Sequence, residues 1–128
     1  MSDVQLRVLI ADDDPMIRMA LSEVLEAESD LHVVAIAEDA EEAVMLAVHH
    51  APDVAVLDVR MPGGGGQHAA REIGVRSPRT QLLAFSAYDD SGVAAELKRL
   101  GVREYLIKGV PNAEIVAAVR RAGAAVRA

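Results

Sequence analysis

The sequence predicts a single domain of the α/β class, a doubly wound sandwich with helices on both faces of a parallel sheet. Its 128 residues fit one compact domain, and 52% of them are hydrophobic. Short apolar runs alternate with longer segments whose apolar residues recur three and four positions apart, which is the pattern of βα units. Right-handed crossovers place the ligand site of such a domain outside the carboxyl ends of the strands.

Five short, largely apolar runs predict the strands. They are Leu6 to Ala11, Val33 to Ala37, Val54 to Leu57, Gln81 to Ser86 and Tyr105 to Ile107. Strands that are buried on both faces are expected to be almost wholly apolar, and these runs are. We therefore expect five parallel strands.

Apolar stripes between and after these runs predict five helices. The stripes are Ile17, Leu21, Val24 and Leu25; Ala43, Leu46 and Ala47; Ala69, Ala70 and Ile73; Val93, Leu97 and Leu100; and Val116, Val119, Ala122 and Val126. Two helix starts carry capping signals, because Asp14 precedes Pro15 and Asp39 stands three residues before Glu42. The run Gly63 to Gly66 directly follows a strand and predicts a loop.

Composition excludes several classes of function. There is no cysteine, so a disulfide framework, a thiol nucleophile and a cysteine-ligated zinc site are ruled out. The net charge of -7 argues against direct nucleic-acid binding by this domain, because phosphate neutralisation needs clustered Lys and Arg. Neither a membrane-length apolar run nor a signal-peptide pattern is present, so we expect a cytoplasmic protein without membrane contact.

Acidic residues follow the first and third predicted strands. Asp12, Asp13 and Asp14 come after the first, and Asp58 follows the third. These carboxylates converge on one edge of the sheet, where they repel one another unless a cation is present. The pattern predicts a hard divalent ion, with Mg²⁺ favoured where carboxylates and a phosphate share octahedral coordination. Asp14 precedes Pro15 and is interpreted as an N-cap instead of a ligand.

Four strings occur in order along the chain. They are Val8 to Pro15 (VLIADDDP), Val56 to Gly66 (VLDVRMPGGGG), Phe85 to Ala87 (FSA) and Tyr105 to Gly109 (YLIKG). Together they resemble the response-regulator receiver domain of two-component signalling, over the whole chain. The resemblance implies one receiver domain spanning residues 1–128, with a flavodoxin-like (βα)5 fold and strand order 2-1-3-4-5.

The resemblance also implies a metal-dependent phosphoacceptor site. Asp58 matches the phosphoacceptor, Asp13 a direct Mg²⁺ ligand, and Asp12 an acid that acts on the metal through water. The main-chain carbonyl of Arg60 completes the metal site, in which Mn²⁺ can substitute for Mg²⁺. A carboxylate there attacks an incoming phosphoryl group while the metal neutralises the developing charge.

Further residues acquire roles by the same resemblance. Lys108, Ser86 and the main-chain N–H of Ala87 are expected to contact the phosphoryl group. Ser86 and Tyr105 match the switch pair that couples the site to a distant face. Two ordinary alternatives stay open: Ser86 is a turn residue, and Tyr105 only packs against its neighbours.

Arg60 and Tyr88 lie two positions after Asp58 and Ser86, where this family tunes dephosphorylation. Their large side chains imply a long phosphoryl lifetime. Gly66 matches the glycine of the family's Met-Pro-x-x-x-Gly loop, where a positive φ is expected.

The resemblance implies a sensor histidine kinase as partner and no turnover of an external substrate. The switched face is expected to comprise the fourth helix, fifth strand and fifth helix, and to mediate homodimerisation or effector docking. Its charged residues are Glu96, Lys98, Arg99, Glu114, Arg120 and Arg121. Residues 120–128 are either the end of the last helix or the start of a linker to a C-terminal effector domain, for example one that regulates transcription.

Two other classes of protein share some of these features. A haloacid-dehalogenase-type phosphatase also forms an aspartyl phosphate, but Asp12-x-Asp14 fits its motif only formally because Pro15 replaces the characteristic Thr or Gly context. A pseudo-receiver would act as a binding module without phosphorylation, which the complete residue set argues against. The four histidines have neither metal-binding spacing nor an acidic partner nearby in sequence, so a structural role is predicted for His32, His49, His50 and His68.

Overall fold

The computed structural model describes residues 4–127, in which strands and helices alternate. In chain order they are β1 (Leu6–Ala11), α1 (Pro15–Glu26), β2 (Leu31–Ala37), α2 (Ala40–His50), β3 (Val54–Asp58), α3 (Gly65–Arg76), β4 (Gln81–Ser86), α4 (Ser91–Arg99), β5 (Val102–Ile107) and α5 (Asn112–Arg127). Neighbouring strands are parallel, and the sheet order is β2-β1-β3-β4-β5. The predicted fold class and strand order are confirmed.

Alternation along the central strands divides the core between the two faces of the sheet. Leu9 and Leu57 belong to the cluster formed with α2, α3 and α4, whereas Val8, Ile10 and Val56 belong to the cluster formed with α1 and α5. All five side chains are at most 1% exposed. Because both faces are covered, the fully buried positions of the central strands are apolar until the strand reaches the carboxyl edge.

Two strands begin earlier than the apolar runs predict. β2 starts at Leu31, before exposed His32, and β5 starts at Val102, before Arg103 and Glu104. Both lie at the edges of the sheet, where a strand has solvent on one side and tolerates polar side chains. The apolar runs therefore mark the buried parts of these strands and miss their starts.

The predicted caps of α1 and α2 are both present. Asp14 Oδ1 accepts a hydrogen bond from the main-chain N–H of Met16 at 2.9 Å, and Asp39 Oδ1 accepts one from Glu42 at 2.8 Å. These carboxylates satisfy N–H groups that the first helical turn leaves without partners. Asp14 is thereby committed to the helix end, as predicted.

The glycine run is partly helical. Gly65 and Gly66 form the buried first turn of α3, whereas Gly63 and Gly64 remain in the loop. Positive φ occurs at Gly63, Gly64 and Gly65, and Gly66 is not among the positive-φ residues, so that expectation for Gly66 was wrong. A Cβ at Gly66 would lie 2.9 Å from the carbonyl oxygen of Asp58. Close backbone approach, and not an unusual φ, therefore requires glycine at this position.

The histidines lie on the surface or at a helix end. His49 and His50 lie in the last turn of α2. His32 Nδ1 lies 3.0 Å from Glu26 Oε2, which corrects the expectation that no acid was near it in sequence. Within residues 4–127 no helix is long and apolar enough to span a bilayer.

Two glycine substitutions should change stability in opposite directions. Gly65 has φ +72°, and a Cβ there would lie 2.7 Å from the Val59 carbonyl oxygen, so Gly65→Ala should lower the free energy of unfolding by roughly 1–3 kcal/mol. Gly74 is exposed within α3, and a Cβ there would come no closer than 4.0 Å to Leu100 O. Gly74→Ala should therefore raise the free energy of unfolding by about 0.5–1 kcal/mol. Urea unfolding followed by circular dichroism measures both; a destabilised Gly74→Ala variant would contradict this account.

Candidate functional site

The carboxyl ends of β1 and β3 bring three carboxylates together. Asp12 directly follows β1, and Asp58 ends β3, its neighbour in the sheet. Oxygens of Asp12, Asp13 and Asp58 all lie within 4.8 Å of one another. Asp12 and Asp58 are only 1% and 4% exposed, whereas Asp13 is exposed. The acidic cluster predicted from the strand ends is therefore formed, and Asp13 is the member that solvent reaches.

Asp12 is fixed by its neighbours at several atoms. Its main-chain N–H donates to Ala37 O at 3.1 Å, and its Oδ1 accepts from the Asp14 N–H at 2.9 Å. Its carbonyl oxygen accepts a hydrogen bond from Arg18 Nη1 at 2.8 Å. Sequence reasoning missed this role of Arg18, because an arginine on the polar side of an amphipathic helix is indistinguishable from an ordinary surface residue.

Lys108 is the cation of the site. Its Nζ lies 2.8 Å from Asp12 Oδ2 and 3.1 Å from Asp58 Oδ1. The residue follows β5, and its main-chain N–H donates to Ser86 O at 2.6 Å, which extends the pairing with β4 to the edge of the site. Lys108 thus contacts Asp58, the residue that matches the phosphoacceptor, and makes a slightly shorter contact with Asp12.

The buried charges shift one another's protonation. Burial is the main cause that raises the pKa of Asp58 to about 6, and the charge of Asp12 adds to it. Lys108 and the Arg60 N–H, which is 3.4 Å from Asp58 Oδ1, oppose that rise. Burial also works against the charged form of Lys108, but the close contacts of its ammonium with Asp12 and Asp58 outweigh burial and raise its pKa.

The donor set fits a hard divalent cation. Asp12 Oδ2 is buried and accepts no hydrogen bond of good geometry, although the Lys108 ammonium is 2.8 Å away. One ammonium faces three carboxylates, so negative charge is left over in a low-dielectric environment. Carboxylate oxygens are the ligands that Mg²⁺ and Ca²⁺ prefer, so the cluster has the chemistry of a metal site.

The other predicted site residues meet at Tyr88. The Oγ of Ser86, which is 2% exposed, accepts a hydrogen bond from the Tyr88 N–H at 3.1 Å. The Tyr105 hydroxyl donates to Tyr88 O at 2.7 Å. The Arg60 guanidinium carbon lies 4.2 Å from the centre of the Tyr88 ring. Ala87 lies between Ser86 and Tyr88 in the turn after β4.

The charged residues of α5 point in two directions. Arg121 forms a two-point ion pair with Glu104 of β5, with both N–O distances 2.8 Å. Arg120 instead contacts Glu28 and Asp30 in the turn between α1 and β2, at 2.7 and 2.8 Å. The assignment of Arg120 to the face of α4, β5 and α5 was therefore wrong. A helix of this length presents neighbouring residues to different elements, which the sequence pattern alone did not separate.

Comparison with known proteins defines the class to which this fold and site belong. The family model described as the response regulator receiver domain matches residues 8–120. The chain belongs to the response regulator receiver domain family.

Particular relatives are response regulators of the NreC and NarL kind. The oxygen regulatory protein NreC of Staphylococcus haemolyticus is 34% identical over 116 residues, which cover 90% of this chain and 54% of that protein. This chain thus spans about half the length of the curated relatives it matches. The signal receiver domain of the putative response regulator NarL from Mycobacterium tuberculosis has a TM-score of 0.91 and 32% identity, covering 94% of this chain and 98% of that domain. A LuxR-family response regulator from Aurantimonas sp. SI85-9A1 has a TM-score of 0.90 and 31% identity, covering 94% of this chain and 86% of that one.

The raised pKa of Asp58 makes stability depend on pH. The unfolded chain releases this proton near pH 3.9 and the folded protein near pH 6, so stability falls as pH rises through that interval. Without metal, Asp58→Asn should therefore raise the free energy of unfolding by about 1–3 kcal/mol near pH 7.5, with the gain shrinking toward about pH 4. Urea unfolding in EDTA measures this difference, and Asp39→Asn, which keeps a capping side chain, is the control. An equal gain at both pH values would contradict the burial account.

Proposed function

We propose that this domain accepts a phosphoryl group on Asp58 from a sensor histidine kinase, in a Mg²⁺-dependent step. The observation that carries the proposal is the placement of Asp58: it is 4% exposed, ends β3, contacts Lys108 at 3.1 Å and lies beside Asp12 and Asp13. Membership of the receiver family supports the same reaction.

The chemistry follows from these contacts. A carboxylate oxygen of Asp58 forms a bond to phosphorus as the phosphorus–nitrogen bond of a phosphohistidine breaks, and the departing imidazole takes up a proton. Lys108 then pairs with the phosphoryl oxygens, as it now pairs with Asp58 Oδ1. The hydroxyl of Ser86 and the main-chain N–H of Ala87 are further donors to the phosphoryl group. The protein thus contributes position and electrostatic stabilisation.

The metal would be held by Asp13 and Asp58 directly, by Asp12 through water, and by the main-chain carbonyl of Arg60. When bound, Mg²⁺, or Mn²⁺ in its place, supplies positive charge that offsets the carboxylates and the incoming phosphoryl group. The unsatisfied Oδ2 of Asp12 supports this assignment. Asp14 stays outside the ligand set because its carboxylate caps α1.

The chain would stop at one phosphoryl group and turn over no external substrate. A haloacid-dehalogenase-type reaction would need Asp14 as a free acid next to Asp12, but Asp14 Oδ1 accepts the N–H of Met16 at 2.9 Å. A pseudo-receiver reading is disfavoured because Asp12, Asp13, Asp58 and Lys108 are assembled in one site.

Phosphorylation would act on the surface formed by α4, β5 and α5. Ser86 and Tyr105, which both bond to Tyr88, are the switch residues of this scheme. That surface would dock an effector or a second copy of the domain. The ion pair between Arg121 and Glu104 forms within one chain. A symmetric contact between two copies at this surface would either keep this ion pair or replace it with the same pair across the interface. The expected free energy of coupling between phosphorylation and docking at this surface is about 1–3 kcal/mol.

The relatives' greater length supports a C-terminal effector domain beyond a receiver domain that occupies residues 1–128, with residues 120–128 leading toward it. A DNA-binding response regulator of the LuxR family from Staphylococcus aureus is among the similar folds, which supports control of transcription. The domain itself would bind neither nucleic acid nor membrane, and it would act in the cytoplasm.

Asp58 should be the phosphoacceptor. Incubation with acetyl phosphate and Mg²⁺ should raise the intact mass by one phosphate, and Asp58→Asn should abolish this gain because an amide cannot form the acyl phosphate. Asp39→Asn serves as the matched control and should be labelled like the wild type. Equal labelling of the Asp58→Asn variant would place the acceptor elsewhere.

The two acids that follow Asp12 should differ in their effect on the metal. Asp13→Asn removes a direct ligand and should weaken Mg²⁺ binding about tenfold or more, with a matching loss of phosphorylation. Asp14→Asn keeps a good N-cap and should leave the Mg²⁺ affinity unchanged. Calorimetric titration with Mg²⁺ measures both, and EDTA should abolish labelling of the wild type. Equal losses in the two variants would refute the division of roles.

A further inference from the structure

Asp13, the exposed member of the acidic cluster, is held in place through its backbone. Within residues 4–127, no hydrogen bond or ion pair holds the Asp13 carboxylate itself. Its oxygen nevertheless lies within 4.8 Å of oxygens of Asp12 and Asp58. The position of this carboxylate therefore depends on the two peptide groups that flank Asp13.

We propose that Arg18 is a positioning residue for the metal site, which holds the backbone of Asp13 and thereby favours Mg²⁺ over the larger Ca²⁺. This role rests on the proposed Mg²⁺-dependent function and adds a residue to its machinery. Arg18 touches neither the metal nor the phosphoryl group. It acts through the peptide group between Asp12 and Asp13.

The side chain of Arg18 fixes the peptide group on the amino side of Asp13. Its Nη1 donates to the Asp12 carbonyl oxygen at 2.8 Å. A peptide group is planar, so this oxygen and the Cα of Asp13 lie in one plane. The N–H of Asp12 donates to Ala37 O of β2 at 3.1 Å. The backbone that leads into Asp13 is thus held from the sheet on one side and from α1 on the other.

The peptide group on the carboxyl side of Asp13 is fixed as well. The Asp14 N–H, which belongs to this group, donates to Asp12 Oδ1 at 2.9 Å. The Asp14 carbonyl oxygen accepts a hydrogen bond from the main-chain N–H of Arg18 at 3.0 Å. Side chain and main chain of Arg18 therefore bond to the residues before and after Asp13. With both flanking planes held, the φ and ψ angles of Asp13 have little freedom.

Helix electrostatics alone disfavour an arginine at this position. Arg18 is the fourth residue of α1, and long helical side chains point back toward the amino end of their helix. The helix dipole is positive at that end, and the first turn of α1 contains no acidic residue that would offset a cation. The contact with the Asp12 carbonyl oxygen, in contrast, favours an arginine there.

A rigid ligand matters more for Mg²⁺ than for Ca²⁺. Mg²⁺ demands short bonds in a nearly ideal octahedron, whereas Ca²⁺ accepts longer bonds in a flexible arrangement. An Asp13 that moves with a loosened loop still serves Ca²⁺ but fits Mg²⁺ poorly. Loss of the Arg18 charge by itself has the opposite sign, because removing a nearby cation strengthens the binding of both divalent ions.

Titrations of the full chain with Mg²⁺ and with Ca²⁺ separate these two effects. Arg18→Met keeps a good helix former and should weaken Mg²⁺ binding about tenfold, as for other residues that orient metal ligands, with a smaller loss for Ca²⁺. Arg18→Lys keeps the charge and a donor and should recover part of the Mg²⁺ affinity. Arg76→Met removes the same charge at the exposed far end of α3 and is the control. Unchanged or tighter Mg²⁺ binding by Arg18→Met, or equal losses for both ions, would overturn the proposal.

A double-mutant cycle tests whether Arg18 acts through Asp13. Asp13→Asn already removes the ligand, so Arg18→Met should weaken Mg²⁺ binding little further in that background. Two losses that multiply would show that Arg18 acts elsewhere, and the positioning role would be refuted.

Backbone relaxation measured by NMR in EDTA tests the contact without any metal. In the wild type the amides of Asp13 and Asp14 should be as ordered as those of β1, and they should lose order in Arg18→Met but not in Arg76→Met. Unchanged order in Arg18→Met would overturn the proposal. If the wild type binds no Mg²⁺, the proposed metal site fails, and the relaxation data still decide whether Arg18 holds the loop. If the wild type binds Mg²⁺ and Arg18→Met binds it equally well, only the role of Arg18 fails.

Discussion

The arrangement depends on an unbalanced set of charges at one edge of the sheet. Three carboxylates converge within 4.8 Å, and a single ammonium, that of Lys108, contacts two of them. Burial raises the pKa of Asp58, the charge of Asp12 adds to that rise, and one oxygen of Asp12 is left without a hydrogen bond of good geometry. A divalent cation bound at this site would relieve the imbalance, so the cost of bringing the carboxylates together would also contribute to the affinity for a cation.

The rest of the fold keeps these charges together despite their repulsion. Apolar side chains cover both faces of the central strands up to Ala11 and Leu57, and the acids begin at the next residue of each strand. The backbone of Asp12 is further tied to Ala37 and Arg18. Because the strands that carry the site are the most deeply buried elements, moving the carboxylates apart would require the core to open.

Sequence reasoning succeeded where a rule links residue type to position. The alternation of strands and helices, the caps at Asp14 and Asp39, and the convergence of acids at the strand ends all follow from such rules. It failed where one sequence pattern is compatible with several structural arrangements. Gly66 was expected in a loop with positive φ, but it lies in the first turn of α3, where a close backbone approach that leaves no signature in the sequence requires glycine. Arg120 was placed on the wrong face, since an ion pair with residues ninety positions earlier is invisible in a helical stripe.

The contacts around Tyr88 belong to this second group and explain why signalling residues are hard to read from sequence. Ser86 and Tyr105 were expected to act as a pair, yet they do not bond to each other; each bonds to the backbone of Tyr88. Main-chain groups are present at every residue, so their use cannot be inferred from side-chain identity. In a buried core such contacts would be fixed by packing, whereas on this exposed loop each contributes little alone. Contacts of this kind can break one at a time, so the loop can rearrange without unfolding the strands that hold the site.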